Sequence, residues 1–253
     1  MERKPTDYLG SFAKGLSVIE VFSAERPRLS IAEVAELTAL DRATARRCLL
    51  TLADLGYADY DGKFFRLTPR VLRLGTACLA AMPLPRIVQP WLDSLSQDTG
   101  QSTSVSILND WEIVYVARAA RQRLMSISLM PGSRLPAWCT SMGRTLLATL
   151  PEPEVLALLK RHPPEPLTPK SQTDVKRLLN IIRQAGKDGY TINDQEIELG
   201  LRSIAVPLYD SRNRVVAAMN VGVAAVQSDA ADLRGLYLDR LLAVQRALKP
   251  LLV

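Results

Sequence analysis

One predicted helix carries arginine and threonine side chains where they could read DNA. Across residues 42–55, apolar side chains recur at helical spacing and form one stripe: Ala45, Cys48, Leu49, Leu52 and Leu55. The other side of the first turns bears Arg42, Thr44, Arg46 and Arg47. Guanidinium groups bind phosphates and guanine edges, and hydroxyl groups bind base edges. Arginines on an outer helix face are often only solvated, but the elements around this helix favour a DNA contact.

The residues before this helix complete a predicted helix–turn–helix. A short apolar-patterned helix at 31–37 and a turn at 38–41 precede it. Ser30 and Asp41 are placed to cap the two helices, and Gly56 is placed to end the second. The second helix would therefore pack on one side and present its arginines to the major groove on the other.

A β-hairpin is predicted directly after the helix–turn–helix. Its strands are residues 57–60 and 63–67, joined at Asp61-Gly62, which is a type I′ turn signal. This combination is the winged form of the DNA-binding module, with Lys63 and Arg66 placed to touch phosphates. A short strand at 28–30 is expected to pair with this wing. An earlier helix at 11–24 is expected to pack under the recognition helix through Phe12, Leu16, Ile19, Val21 and Phe22.

The composition agrees with a DNA-binding protein of the cytoplasm. The chain has 253 residues, which suggests about two domains, and a net charge of +6. Seven basic and three acidic residues lie between Arg42 and Arg73, so the local cluster carries more weight than the bulk charge. Three widely spaced cysteines indicate a reducing compartment, and no apolar run is long enough to predict a membrane span or a secretion signal.

Beyond residue 84, strands and helices alternate. Strands are expected at 103–108, 112–118, 124–130, 204–209 and 215–223, and helices at 140–150, 154–161, 174–184 and 229–248. Pro83 and Pro85 are expected to break the chain between helices at 71–81 and 87–96, and the proline-rich loop 162–169 to be exposed. The pattern favours an α+β fold that senses small molecules. We expect a winged helix–turn–helix at 1–68, a linker helix at 69–83 and an effector-binding domain at 84–253.

Two segments of the second domain are candidates for a ligand site. Residues 134–143 lead into a helix N-terminus, where free N–H groups favour an anion, although an ordinary capped helix explains them equally well. Residues 193–203 are polar and run into a buried strand, so they either line a pocket or form a solvated loop. Arg118, Arg144 and Arg202 are each able to anchor a carboxylate, and the sequence does not choose among them.

Features of an enzyme are weak. The single histidine, His162, lies in the proline-rich loop and is expected at the surface. Cys139 starts a helix, where thiol pKa values fall, but no base accompanies it, and a small apolar filler is the simpler interpretation. No metal-ligand spacing or phosphate loop occurs, so no metal and no cofactor is expected.

Five blocks in order resemble the IclR type of bacterial transcription regulator over nearly the whole chain. They are residues 12–22, the recognition helix with Thr44 and Arg47, the wing ending at 65–68, residues 135–144 and residues 194–207. The second and fourth blocks resemble the PcaR/PcaU/PobR branch. The resemblance implies a GAF-like effector domain, a dimer that often pairs into a tetramer, palindromic operators, and control of protocatechuate, 4-hydroxybenzoate and β-ketoadipate catabolism.

The resemblance also implies an effector pocket. Carried over block by block, it falls at Leu124, Ser141, Met142, Gly143, Asn193, Asp194, Leu201, Ser203, Asn220 and Gly222. Two departures from relatives bear on function: Ala43 replaces a serine in the recognition helix, and Met142 is bulkier than the residue found in some relatives. Three alternatives stay open: an enzyme with an appended DNA-binding domain, a structural DNA-binding protein with a ligand-blind second domain, and an IclR-type regulator of another carbon source.

Overall fold

The computed structural model describes residues 8–23, 25–121 and 129–252. The chain divides into two compact units, Met1–Ala80 and Ala81–Val253. The helices are α1 Gly10–Glu20, α2 Ile31–Thr38, α3 Arg42–Asp54, α4 Leu72–Ala81, α5 Pro83–Thr99, α6 Ser141–Leu147, α7 Glu152–Arg161, α8 Val175–Asp188 and α9 Leu233–Leu248. The strands are β1 Ala58–Tyr60, β2 Phe65–Leu67, β3 Ser102–Asn109, β4 Glu112–Ala119, β5 Arg134–Pro136, β6 Thr191–Asp194, β7 Leu201–Tyr209 and β8 Val215–Ala224.

The first unit contains the predicted helix–turn–helix. Ser30 and Glu33 form a reciprocal capping box at the start of α2. Ala39 then takes a left-handed conformation with φ 54°, which turns the chain toward α3. Asp41 Oδ1 accepts from the Thr44 N–H at 2.8 Å and caps α3. The sequence predicted both caps and the turn at 38–41, and the structure confirms the helix–turn–helix.

Two side-chain expectations for this unit are wrong. Phe12 and Leu16 of α1 are 64% and 41% exposed, because the helix packs inward through Val18 instead. Thr44 is buried, as Ala45 and Leu49 are, and so belongs to the packed side of α3. Its hydroxyl lies 3.4 Å from Arg47 Nη2, so it contacts a neighbouring arginine rather than solvent.

The wing forms, but with a different turn. Tyr60 pairs with Phe65, so four residues connect the strands instead of two. The Asp61 carboxylate accepts the N–H groups of Lys63 and Phe64, at 2.9 and 2.7 Å, and holds the longer loop. Gly62 has φ +98°. A type I′ turn would need positive φ at both central residues, so that prediction is wrong. Leu29 bridges to Phe65, as expected for a short strand beside the wing.

The second unit is built on an antiparallel sheet with strand order β5-β4-β3-β8-β7-β6. One face packs on α5 and α9 through Ile204, Val206, Met219 and Val221. The other face is covered by α6, with α8 behind it. The strand hairpins around 109–110 and 210–213 confirm the α+β prediction.

Several boundaries differ from the expectations. α5 begins at Pro83, because proline is tolerated in the first helical turn, where its missing N–H is not needed. α8 continues through Gly186 and ends at Gly189, which has φ 72°. Thr168 is buried and donates to the Gln195 carbonyl at 2.7 Å, so the proline-rich loop is not exposed throughout. The strand predicted at 124–130 falls mostly outside the described residues.

Among the described residues, no single helix is long and apolar enough to cross a membrane. The segments Pro69–Cys78 and Pro83–Thr99 reach that length and composition only when taken together, across a break in the helix.

Candidate functional site

Two rows of mostly small or polar residues run across one face of the large sheet. Cross-strand partners point to the same face of a sheet, so each row gathers side chains from neighbouring strands. The first row is Arg118, Ser104 and Asn220, and the second is Ser102, Gly222, Ser203 and Asn193. Because most of these side chains are small, they leave space between the sheet and α6.

A narrow pocket occupies this space. The Ser141 hydroxyl of α6 lies 2.8 Å from that of Ser203, and Asn193 Nδ2 donates to the Cys139 carbonyl at 2.9 Å. The described lining residues are Ser102, Tyr115, Arg118, Leu129, Leu135, Thr140, Ser141, Met142, Asn193, Ile197, Leu201, Ser203, Asn220 and Gly222. The cavity measures about 30 Å³, which is room for about two water molecules. A ring-sized ligand would have to displace lining side chains.

Arg118 is the one charged side chain among the described residues that line the pocket. Its Nη1 donates to Ser104 Oγ at 2.9 Å, while its Nε is buried without a hydrogen-bond partner in the described part of the chain. Burial lowers the pKa of Arg118, and the nearby Tyr115 opposes that shift. Since arginine stays protonated in proteins, the pocket contains a partly desolvated cation with no counter-charge among these lining residues.

Two further polar groups line the pocket with this cation. Asn220 Oδ1 is buried and finds no hydrogen-bond donor among residues 8–23, 25–121 and 129–252. Burial raises the pKa of Tyr115 to about 12, so its side chain is a neutral phenol near neutral pH. The pocket therefore offers donors and an acceptor around one positive charge.

The other two candidate arginines are already paired. Arg144 forms a bidentate pair with Glu196, at 2.6 and 2.7 Å, and its Nε donates to the Trp138 carbonyl. Arg202 Nε donates to Asp194 at 2.6 Å. Burial raises the pKa of Asp194, but hydrogen bonds from Gln195, Arg202 and Lys170 outweigh it and lower the pKa to about 2. These ion pairs neutralise Arg144 and Arg202, and the geometry singles out Arg118.

The structure brings most of the predicted effector residues together. Those that line the pocket are Ser141, Met142, Asn193, Leu201, Ser203, Asn220 and Gly222. Asp194 and Gly143 do not line it, and Leu124 lies outside the described residues. A Cβ on Gly143 would overlap the Ala137 carbonyl oxygen, so this glycine allows a close backbone approach.

The helix start offers less to an anion than expected. α6 has only seven residues, and the Gly143 N–H is taken by Thr140 Oγ1 at 3.0 Å. Cys139 is fully buried, and burial raises the pKa of its thiol to about 12. A neutral thiol at this position packs as a small apolar group and is a poor nucleophile.

Sequence reasoning missed Tyr115 and did not separate Arg118 from the other arginines. The alternating serines at 102, 104 and 106 were a usable signal, because alternation in a strand places all three on one face. A pocket wall of small hydroxyl groups follows from that spacing.

The basic surface of the first unit is also in place. Arg42, Arg46 and Arg47 are exposed on α3, and Lys63 and Arg66 are exposed on the wing. Arg66 lies 3.4 Å from Asp59, and both side chains are well exposed. Arg28, which the sequence prediction omitted, lies with Lys63 against the Phe64 ring, at 4.8 and 5.0 Å from its centroid. The recognition helix and the wing thus present exposed cationic side chains to a binding partner.

Comparisons with known proteins match both units. Residues 11–62 match the IclR helix-turn-helix domain, and residues 76–249 match the C-terminal domain of the bacterial transcriptional regulator IclR. The Pca regulon regulatory protein of Pseudomonas putida is 41% identical over 96% of this chain and 84% of its own length. The p-hydroxybenzoate hydroxylase transcriptional activator of Acinetobacter baylyi is 36% identical over 87% of this chain and 83% of its own.

A solved structure matches the second unit. It is the inducer-binding domain of a double mutant of the PobR transcription factor from Acinetobacter, in complex with 3-hydroxybenzoic acid. Its TM-score is 0.62 at 28% identity, covering 66% of this chain and 98% of that chain.

Proposed function

The chain belongs to the IclR family of bacterial transcriptional regulators, and we propose that it controls genes of aromatic-acid catabolism in the β-ketoadipate pathway. Members of this family are regulators, not enzymes. Residues 1–68 would bind operator DNA in the cytoplasm, 69–83 would link the domains, and 84–253 would bind a small carboxylate effector. The names of two relatives, from the Pca regulon and p-hydroxybenzoate hydroxylase control, support this pathway.

The observation that carries the effector assignment is the charge of the pocket. Arg118 supplies a half-buried positive charge whose Nε is fully enclosed, and no described lining residue is acidic. Burying an unpaired charge is costly, so an anion that enters this pocket gains the full benefit of neutralising it. Carboxylate geometry also suits guanidinium donors. The 3-hydroxybenzoic acid bound by the PobR domain is a ligand of this class.

Effector binding would change DNA binding through the pocket walls. The pocket is narrow, so we expect a ring-sized ligand to move α6 or residues 195–201, which both contribute to its walls. A ligand shifts an equilibrium between conformations only by its difference in affinity for them. We expect the shift to change the spacing of two recognition helices on half-sites about one turn of DNA apart.

The proposal is tested with duplexes that the protein itself selects from a random pool. Fluorescence anisotropy would measure binding of such a duplex with and without 4-hydroxybenzoate, protocatechuate or β-ketoadipate. We expect one of these acids to change the affinity by at least about fivefold, a usual lower limit for allosteric coupling. If none of the three acids changes the affinity for the selected duplex, control by a carboxylate is contradicted.

Replacing Arg47 by alanine is expected to weaken binding to the selected duplex about tenfold or more, because an arginine that contacts a base is worth this much. Arg47 is exposed on α3, and its loss leaves the Asp41 cap intact. Arg240→Ala on α9 is the matched control, since it removes an exposed arginine from the other unit. Equal affinities of Arg47→Ala and the unmodified protein at one salt concentration would rule out this contact.

We propose that the chain self-associates through α1 as a dimer, which can pair into a tetramer. Leu9, Phe12 and Leu16 are spaced three and four residues apart, and they form an exposed apolar stripe. Together with α3 this stripe borders a groove of about 710 Å³. An apolar surface of this kind commonly marks an interface.

Phe12→Ser is expected to raise the dimer dissociation constant about tenfold, because large aromatic side chains dominate interfaces. Light scattering over a concentration series would measure the shift. Leu37→Ser, on α2, removes an exposed apolar side chain outside the stripe and serves as control. If both variants match the unmodified protein, α1 is not the interface.

A further inference from the structure

We propose that Arg118 and Asn220 act together to select an effector with one carboxylate and one hydroxyl group on a flat apolar body, and to discriminate against an aliphatic dicarboxylate. The inference rests on the proposed function and names the effector class of the same pocket. Asn220 would be the residue that reads the hydroxyl group.

The two residues present unsatisfied atoms of opposite hydrogen-bonding type. Arg118 Nε is a buried donor without an acceptor, and Asn220 Oδ1 is a buried acceptor without a donor, among the residues described. A buried polar atom left without a hydrogen bond carries a free-energy cost, so a ligand that bonds to both atoms removes two such costs. A carboxylate oxygen only accepts, whereas a hydroxyl group donates. An ionised dicarboxylate therefore accepts a hydrogen bond from Arg118 but brings no hydroxyl donor to Asn220 Oδ1.

The sheet places both atoms within reach of one small molecule. Arg118 and Asn220 both pair with Ser104, which lies on the strand between them. Two strand spacings separate their backbones by about 10 Å. The guanidinium leans across this interval, because its Nη1 bonds to Ser104. Both Arg118 and Asn220 line the pocket, so a ligand there lies beside both of them.

The remaining walls suit an apolar ring better than a second charge. Apolar lining residues are Leu129, Leu135, Met142, Ile197 and Leu201. The Ser141 and Ser203 hydroxyls already bond to each other, and neither carries a charge. A second carboxylate would lie against these neutral groups without a cation among the described lining residues, at a cost in desolvation.

The test is a calorimetric titration of the 253-residue protein with 3- and 4-hydroxybenzoate, benzoate and β-ketoadipate. We expect the tighter hydroxybenzoate to bind at least about tenfold more strongly than benzoate, since benzoate leaves Asn220 unpaired. β-Ketoadipate is expected to bind at least about tenfold more weakly than that hydroxybenzoate.

Asn220→Leu keeps the volume of the side chain and removes its amide. In this variant the preference for hydroxybenzoate over benzoate is expected to fall to about twofold or less, because neither ligand finds a partner there. Ser106→Ala is the control: Ser106 lies on the same face of β3, and its hydroxyl bonds to the Met142 sulfur at 3.3 Å. It should retain the preference. The ratio between two ligands is unaffected by a uniform loss of folded protein.

Three results would overturn the inference: benzoate binding as tightly as both hydroxybenzoates, β-ketoadipate binding as tightly as either, or an undiminished preference in Asn220→Leu. The ligand series on the unmodified protein decides the matter even if the variant fails to fold. In each case carboxylates still bind, so the proposed function stands and only the selectivity fails. Absence of binding by all four acids and by protocatechuate would refute both.

Discussion

Replacing Arg118 by methionine is expected to weaken carboxylate binding about a hundredfold or more while the protein stays folded. Truncating one partner of a buried charged pair usually costs this much or more. The stability of the free protein should fall little, because the substitution removes a partly desolvated cation that lacks a counter-charge among the described lining residues. The lost bond from the charged guanidinium to Ser104 is worth about 1.5–3 kcal/mol, and relief of the enclosed cation offsets much of it. Calorimetric titration and thermal melting would measure the two effects separately.

Arg134→Met is the matched control. Arg134 lies on the neighbouring strand β5 and pairs with Glu112 at 2.7 Å, outside the pocket. It should bind the effector as the unmodified protein does. An Arg118→Met variant that retains its affinity for the effector would mean that another group, not Arg118, anchors the carboxylate.

Arg144→Met is expected to destabilise the protein by about 3–5 kcal/mol, because it leaves a buried carboxylate without its cation. Glu196 accepts hydrogen bonds from both Nη atoms of Arg144, and its Oε2 also accepts one from the Gln172 N–H at 2.8 Å. The pair thus ties α6 to the loop after β6 and to the segment before α8. Denaturant unfolding followed by circular dichroism would give the change in the free energy of unfolding.

The double variant Arg144→Met, Glu196→Met separates charge burial from packing. Replacing both partners by apolar side chains is often nearly neutral, so much of the loss should be recovered. Recovery should be incomplete, since the Gln172 N–H loses its acceptor. A double variant as unstable as the single one would show that the loss came from packing, and a single variant of normal stability would show that the pair contributes little.

Much of the fold was predictable because its signals are local. Ser30 and Asp41 cap their helices, and the apolar stripe of α3 determined its packed side. Predictions failed where a side chain or a tertiary contact decided the outcome. The Asp61 carboxylate reshaped the wing turn, and the burial of Val18 turned Phe12 outward. Neither effect follows from the spacing of apolar residues alone.

The pocket was only partly predictable for a similar reason. The resemblance to the family located Ser141, Asn193 and Ser203, but the choice among three arginines depended on which of them had acquired a carboxylate partner. Glu196 and Asp194 lie 52 and 8 residues from the arginines they neutralise. Pairing at such distances becomes visible only in the folded sheet, which leaves Arg118 without an acidic partner in the described pocket.

The most direct test of the central claim is the heat of binding when the unmodified protein is titrated with 4-hydroxybenzoate, protocatechuate and β-ketoadipate. The claim is that a small carboxylate occupies the pocket beside Arg118. We expect saturable binding of at least one acid, at one site per chain, and its loss in Arg118→Met. Absence of binding by all three acids, in protein that still binds its selected DNA, would contradict the claim and leave a regulator controlled by some other signal.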